Sequence, residues 1–317
     1  MAHMWRLVGR RLLLALAILF VISILIFGAL ELLPGDAAEA LLGQAASPET
    51  VAALRRDLGL DQPLVLRYLS WLAGALQGDF GISLASRQPI GELISGRFQN
   101  TLFLALYAAA IAVPISLVLG LASAMLRNTI FDRLVNVTAL SAISFPDFFV
   151  AYILIFLLAQ TGMFPTIASG VATADFVGRL HMSFLPAVTL SLAVSAHMLR
   201  MTRASIVNLL ASPYIEMAHL KGAGPIRLVL IHALPNAASP IINVVAINLA
   251  YLVTGVVVVE VVFAYPGMGQ LMVDSVSKRD VPVVQAAALI FACAYVLLNL
   301  LADVLAILTN PRVLHRR

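Results

Sequence analysis

The run LLLALAILFVISILIFGAL, from Leu12 to Leu30, decides what kind of protein this chain is. As an α-helix it would rise about 28 Å, close to the thickness of a bilayer's hydrocarbon core of about 30 Å. Arg6, Arg10 and Arg11 precede it in the manner of a secretory signal, but no small-x-small cleavage site follows. An uncleaved first membrane helix over 12–32 is therefore expected. Residues 1–3, Met1-Ala2-His3, read as a cloning scar ahead of a natural start at Met4.

The rest of the chain agrees with that beginning. Of 317 residues, 61% are hydrophobic and only 11% charged, whereas a soluble domain carries roughly 25% charged residues. Apolar runs at 101–126, 134–160, 183–199, 240–262 and 284–308 add five further spans, the fourth being the shortest. The expectation is an all-α polytopic membrane protein with about six crossings. Its connections are a polar segment at 33–100, a turn at 127–133, loops at 161–182 and 263–283, a polar segment at 200–239 and a tail at 309–317.

An even number of crossings puts both termini on one side, and the basic residues choose which. Twelve lysines and arginines lie in 1–11, the 127–133 turn, the 200–239 segment and the tail. Only Arg179, Lys278 and Arg279 lie in the two short loops opposite. The excess of positive charge on cytoplasmic loops places residues 1–11, the 200–239 segment and 309–317 in the cytoplasm, and the 33–100, 161–182 and 263–283 segments outside. Pro48, Gly59, Pro63, Gly78, Gly81 and Pro89 divide 33–100 into short helices and turns.

Composition also excludes several functions. A net charge of +4 with dispersed basic residues gives no nucleic-acid face. The single cysteine, Cys293, permits neither an internal disulfide nor a zinc site built on several cysteines. The only lysines are Lys221, followed by glycine, and Lys278, followed by arginine, so no phosphate-cradling Gly-Lys-Ser/Thr loop exists and ATP hydrolysis belongs to another chain. No serine-hydrolase or zinc-protease motif occurs, and the scattered histidines read as structural.

The stretch that carries chemistry is Ser212 to Asn236, SPYIEMAHLKGAGPIRLVLIHALPN. Ser212 suits an N-cap before Pro213, Glu216 lies in the first turn, Lys221 in the last, and Gly222 suits a left-handed stop. Gly224 and Pro225 then open a second helix expected to run to about Ala233, which makes a two-armed cytoplasmic elbow. Tyr214, Met217 and Ala218 share one face of the first arm. An apolar knob with charged flanks is suited to a partner's groove.

Glu216-Met217-Ala218, then Gly222, then His232-Ala233-Leu234-Pro235 resembles the signature of permease subunits of binding-protein-dependent ABC importers. Met217 stands where that signature has alanine, and His232 where it has isoleucine. The histidine is typical of the dipeptide, oligopeptide and nickel branch. Leu33-Pro34-Gly35-Asp36, Gly59 to Leu64, Gly78 to Ser83, Val259 to Phe263, Tyr265 to Gly269, Arg279-Asp280 with Pro282 and Gln285, and Asn299 through Asp303 to Arg312 are similar to that branch in the same order. The resemblance implies a type I permease fold in a bacterial inner membrane. It implies as partners a homologous second permease, two ATPase subunits that bind ATP and Mg, and a solute-binding protein, with peptides or related solutes as cargo. It also implies that Tyr214, Glu216, Met217, Ala218, Gly222, Leu234 and Pro235 couple the chain to the ATPase. A stand-alone secondary transporter would show internal repeats, and none is evident.

Charged residues inside spans need a reason. Glu31 and Glu260 fall near outer helix ends and Asp303 near an inner one, each within reach of an interface or neighbour. Asp147, counted along a continuous 134–160 helix, lies about 20 Å into the core. Beside Ser144 and Pro146 it lines the solute path, meeting a cationic group such as a peptide amine, or it makes a helix–helix hydrogen bond, or the span ends earlier than 134–160. Pro114 and Pro146, each taken alone, read as packing kinks in preference to breaks beside a pathway.

Overall fold

The computed structural model describes residues 2–32, 47–57, 59–158 and 161–309. The Leu33–Asp36 segment and the tail beyond 309 lie outside them, as does Met1. Among the described residues the chain is helical, apart from an isolated antiparallel bridge between Ile82 and Pro89. In order the helices are α1 (Ala2–Glu31), α2 (Pro48–Asp57), α3 (Leu64–Gln77), α4 (Ile90–Met125), α5 (Ile130–Ser144), α6 (Asp147–Leu158), α7 (Phe176–Leu210) and α8 (Pro213–Leu220). A long run α9 (Pro225–Val262), α10 (Met268–Ser277) and α11 (Val281–Thr309) follow. Five helices are long and apolar enough to cross a membrane, and a sixth crossing results if α5 and α6 form one broken span.

The spine is the pair α4 and α7. Leu104, Ala108 and Ala112 of α4 pack on Leu185, Leu190, Val194 and Met198 of α7, and α9 closes the cluster with Leu252, Val256 and Val259. Alanine at these positions lets the backbones approach closely, as suits helices packed in lipid. Ser191 donates across that seam to the Ala108 carbonyl at 3.0 Å and also to Ala187 in its own helix. Two smaller clusters cap the bundle. Ile90 and Ile94 of α4 meet α10 and α11 at one end, while Ala124 and Ile206 meet Ile215, Leu228 and Val229 at the other.

The expected 183–199 span is in fact the longest-buried helix, α7, with 61% of its most apolar window buried against 17% for α1. Buried Ser183, Thr189, Ser191 and Thr202 depress its hydropathy although they face other helices, and Thr189 and Ser191 satisfy their hydroxyls on carbonyls of the preceding turn. The 101–126 span begins earlier, at Ile90, because a helix continues past the bilayer once Pro89 has set its first turn and Glu92 lies near its positive end.

The continuous 134–160 helix is not observed. The chain turns by 107° between α5 and α6. Phe145 takes an extended conformation, φ −93° and ψ 134°, as the residue before a proline prefers. Pro114 by contrast sits within unbroken α4.

The N-terminal half of α1 meets the C-terminal part of α11. Arg11 of α1 pairs with Asp303 of α11 at 2.9 Å, and at the other end of α1 Glu31 accepts from Arg67 of α3 at 2.6 Å. Both carboxylates thus reach neighbouring helices, as their positions near helix ends predict.

Candidate functional site

The elbow is built from backbone outward. Pro213 opens α8 with its fixed φ, and the helix ends in a Schellman turn. Gly222 holds φ +85°, its N–H donates to the His219 carbonyl, and the Ala223 N–H reaches back to Ala218. Gly222 is therefore the left-handed stop that its position predicts. Ser212 has the extended backbone of a cap, but its hydroxyl donates backwards to Leu209 at 2.5 Å and accepts nothing from the first turn. Pro213 supplies no N–H at the first position, which removes one of the donors a cap would satisfy.

On α8, Ile215 is buried and anchors the arm, while Tyr214, Glu216 and Met217 are exposed and Ala218 is half-buried at the edge. The exposed surface continues through Leu220, Ile226, Leu230 and Ile231, flanked by exposed Glu216, His219, Lys221 and Arg227. Gly224, Pro225, Ile226, Arg227, Leu230 and Ile231 line a shallow apolar groove beside it.

The second arm does not stop at Ala233. It continues into the span through a π-helical turn, Leu228–Ala233, and then Leu234–Thr254. Pro235 explains the widening, since it offers no N–H to the carbonyl four residues back and its ring crowds that carbonyl. The Leu234 N–H bonds to Val229 instead, one residue further. The His232 carbonyl accepts from the Tyr214 hydroxyl at 3.2 Å and from Asn236 Nδ2 at 2.9 Å, which straps α8 to the widened turn. Leu234 is half-buried at this junction and Pro235 exposed.

Ser144, Pro146 and Asp147 come together at the α5–α6 corner. Asp147 is the first residue of α6, half-buried, and accepts from the Tyr251 hydroxyl of α9 at 3.3 Å. Its depth therefore does not follow from counting along one helix. Ser144 is exposed, its hydroxyl turned onto Leu140, and Phe145, Phe148, Phe149 and Tyr152 are exposed around the corner.

Two polar centres join residues far apart in sequence. Near the elbow end, buried Asp132 of α5 takes a bidentate pair from Arg203 of α7 at 2.6 and 2.7 Å, with Ser123, Asn136 and the Asn128 N–H completing its shell. It fixes the α4–α5 turn to α7 just before α7 enters the elbow. At the opposite end Glu260, fully buried, accepts from Thr101 at 2.6 Å and from the N–H groups of Gly269 and Gln270 at 2.7 and 3.1 Å. It reaches a neighbouring helix, as expected, but no interface. Beside it the Tyr265 hydroxyl donates to the Asn100 carbonyl, and burial pushes that phenol up to about 12.

Comparison with known proteins adds three findings. Residues 112–315 match the family described as "Binding-protein-dependent transport system inner membrane component", and residues 4–105 match its N-terminal companion. Over 308 residues, covering 97% of this chain and 98% of the relative, the sequence is 39% identical to the "Glutathione transport system permease protein GsiC" of Escherichia coli strain K12. The similarity is equal for the protein of that name from Shigella flexneri serotype 5b.

Proposed function

This chain belongs to the family of binding-protein-dependent transport system inner membrane components, and from that premise we propose that it forms half of a translocation pathway for peptides or related small solutes, driven through the Pro213–Leu220 elbow. It is an ABC importer permease subunit of the inner membrane. The family implies a solute-binding protein and ATPase partners. In our reading these are one binding protein, a homologous second permease and two ATPase subunits that carry ATP and Mg.

The observation that carries the coupling assignment is the elbow's construction. An exposed apolar arm is held by a buried anchor, Ile215, a left-handed stop, Gly222, and a strap from Tyr214 to His232. A rigid arm joined to spans on both sides converts movement of a docked ATPase into rotation of α7 and α9. Tyr214, Glu216, Met217, Ala218 and Gly222 form the docking arm, and Leu234 and Pro235 its junction with the span. The start of α11 lies with Ile90 at the end opposite the elbow, so the far part of α11, with Arg11 of α1 beside Asp303, runs toward the elbow's side, which supports a cytoplasmic position for both.

Ser144, Pro146 and Asp147 are our candidates for the pathway, because a helix broken within an apolar region presents backbone and a carboxylate where a solute passes. The glutathione permeases among the relatives support a peptide-like cargo.

The test is Gly222→Val in the assembled transporter reconstituted with its binding protein. A β-branched residue at φ +85° costs about 1 kcal/mol or more and tilts the arm. Normal insertion with loss of ATPase association, or with hydrolysis uncoupled from uptake of labelled dipeptide or glutathione, is expected. Wild-type association and uptake would remove this elbow from coupling.

A further inference from the structure

Two arginines at the end of the bundle opposite the elbow hold backbone conformations that arginine disfavours, and one buried carboxylate organises both. Arg279, φ +55°, follows α10. Its N–H donates to Val276 and the Asp280 N–H to Ser275, the Schellman pattern in which this position is normally glycine. Arg87, φ +60°, closes the loop of a small hairpin in which the Ser83 N–H meets the Gln88 carbonyl and the Arg87 N–H meets the Ser83 carbonyl. Asp280, 2% exposed, accepts from the Ser83 hydroxyl at 2.5 Å and from the Leu84 and Ala85 N–H groups at 3.1 and 3.2 Å. It clamps the hairpin to the α10–α11 corner.

Glycine would be relaxed at both positions, yet the sequence places arginine at both. Their side chains are exposed, as is that of neighbouring Lys278, and none of the three makes an ion pair within the described residues. Strain kept at two positions of one rigid corner points to a use for the side chains.

We propose that Arg87 and Arg279, with Lys278, are a docking point for acidic side chains of the solute-binding protein. The proposal rests on the reading above that this end faces outward. A guanidinium fork takes a carboxylate bidentately, and a corner fixed by Asp280 presents its arginines with little freedom left to lose. A guanidinium takes a phosphate as readily as a carboxylate, but the family depends on a binding protein, which has to seat on the outer face, and this fixed basic corner lies there.

The experiment uses the full complex in nanodiscs of neutral lipid and, in parallel, of anionic lipid, and measures binding-protein affinity at low and high salt. In the Arg87→Gly/Arg279→Gly variant, affinity is expected to fall roughly tenfold or more at low salt and much less at high salt. The thermal midpoint of the complex is expected to hold or rise, because glycine relieves the strain. Affinity within twofold of wild type at low salt overturns the proposal. So does a loss that appears only in anionic lipid, which would assign the corner to lipid headgroups. A second arm labels Arg279→Cys, in a Cys293→Ala background, with an impermeant maleimide on right-side-out vesicles. External labelling is expected. Labelling only after permeabilisation overturns the outward reading together with the proposal, whereas external labelling with unchanged affinity overturns the proposal alone.

Discussion

Replacing Glu260 by alanine removes the acceptor of three hydrogen bonds from a site with no solvent access. Each buried donor left without a partner costs about 1–3 kcal/mol. The Thr101 hydroxyl can rotate toward a carbonyl of its own helix, and the Gln270 N–H is only partly buried, so the sum falls near the lower end, about 3–5 kcal/mol. Glu260→Gln behaves differently. One amide oxygen still accepts from Gly269 and Gln270, while the amide nitrogen donates to Thr101 Oγ1, which already accepts from the Met268 N–H at 2.8 Å. The hydrogen bonds are largely kept, and the cost is expected to be about 1 kcal/mol. Gly267→Ala probes the same site from the opposite side, because a methyl there would overlap Oε1 of Glu260, and it is expected to destabilise well beyond Glu260→Gln. The assay is reversible unfolding in micelles, read by denaturant midpoint at constant m-value. A glutamine variant as unstable as the alanine variant would refute the acceptor account, and a neutral alanine variant would refute the whole argument.

Other expectations follow from the remaining polar centres. Arg203→Met leaves Asp132 buried with its principal partner gone, at a cost of about 3 kcal/mol; Asp132→Asn in that background is expected to recover part of it in a double-mutant cycle, and strict additivity would mean the pair is not coupled. Asp147→Asn is expected to keep assembly and ATPase coupling while altering uptake of amine-bearing solutes, and unchanged kinetics across a substrate panel would leave Asp147 a packing residue held by Tyr251. Tyr265, with its phenol pushed up to about 12 in the folded chain, stays protonated where an unfolded tyrosine ionises. Its contribution to stability is fully present below about pH 10 and is lost as pH rises toward 12. Absorbance titration of wild type against Tyr265→Phe is expected to show one late phenol missing in the variant.

Membrane residence and the elbow could be read directly because both are local. An uncharged run, a proline at the first helical position and a glycine stop depend on neighbours a few residues away. The α5–α6 corner was equally local but misread. Asp147 directly after Pro146 is the mark of a helix start, yet apolar residues on both sides make the run look continuous, and Pro114 and Pro186 sit in unbroken helices. The importance of α7 was hidden because hydropathy scores a serine the same whether it faces water or a neighbour's carbonyl. The carboxylate clamps were out of reach. Asp280 and Ser83 are 197 residues apart, and nothing in either neighbourhood announces the other.

The widened turn at Leu228–Ala233 gives the span an unusual kind of joint. A π-turn contains one residue more than the α-turn it replaces, and that surplus can move along a helix as successive N–H groups exchange one acceptor for the next. Each such step carries one residue across the joint, turning it by about 100° and shifting it by about 1.5 Å against the helix it leaves, while the two flanking helices keep their relation and the hydrogen-bond count stays constant. A proline hinge bends, and a melted loop slackens. A travelling surplus residue instead re-aims the side chains it passes, so the face presented at the joint can change without the arm or the span unfolding.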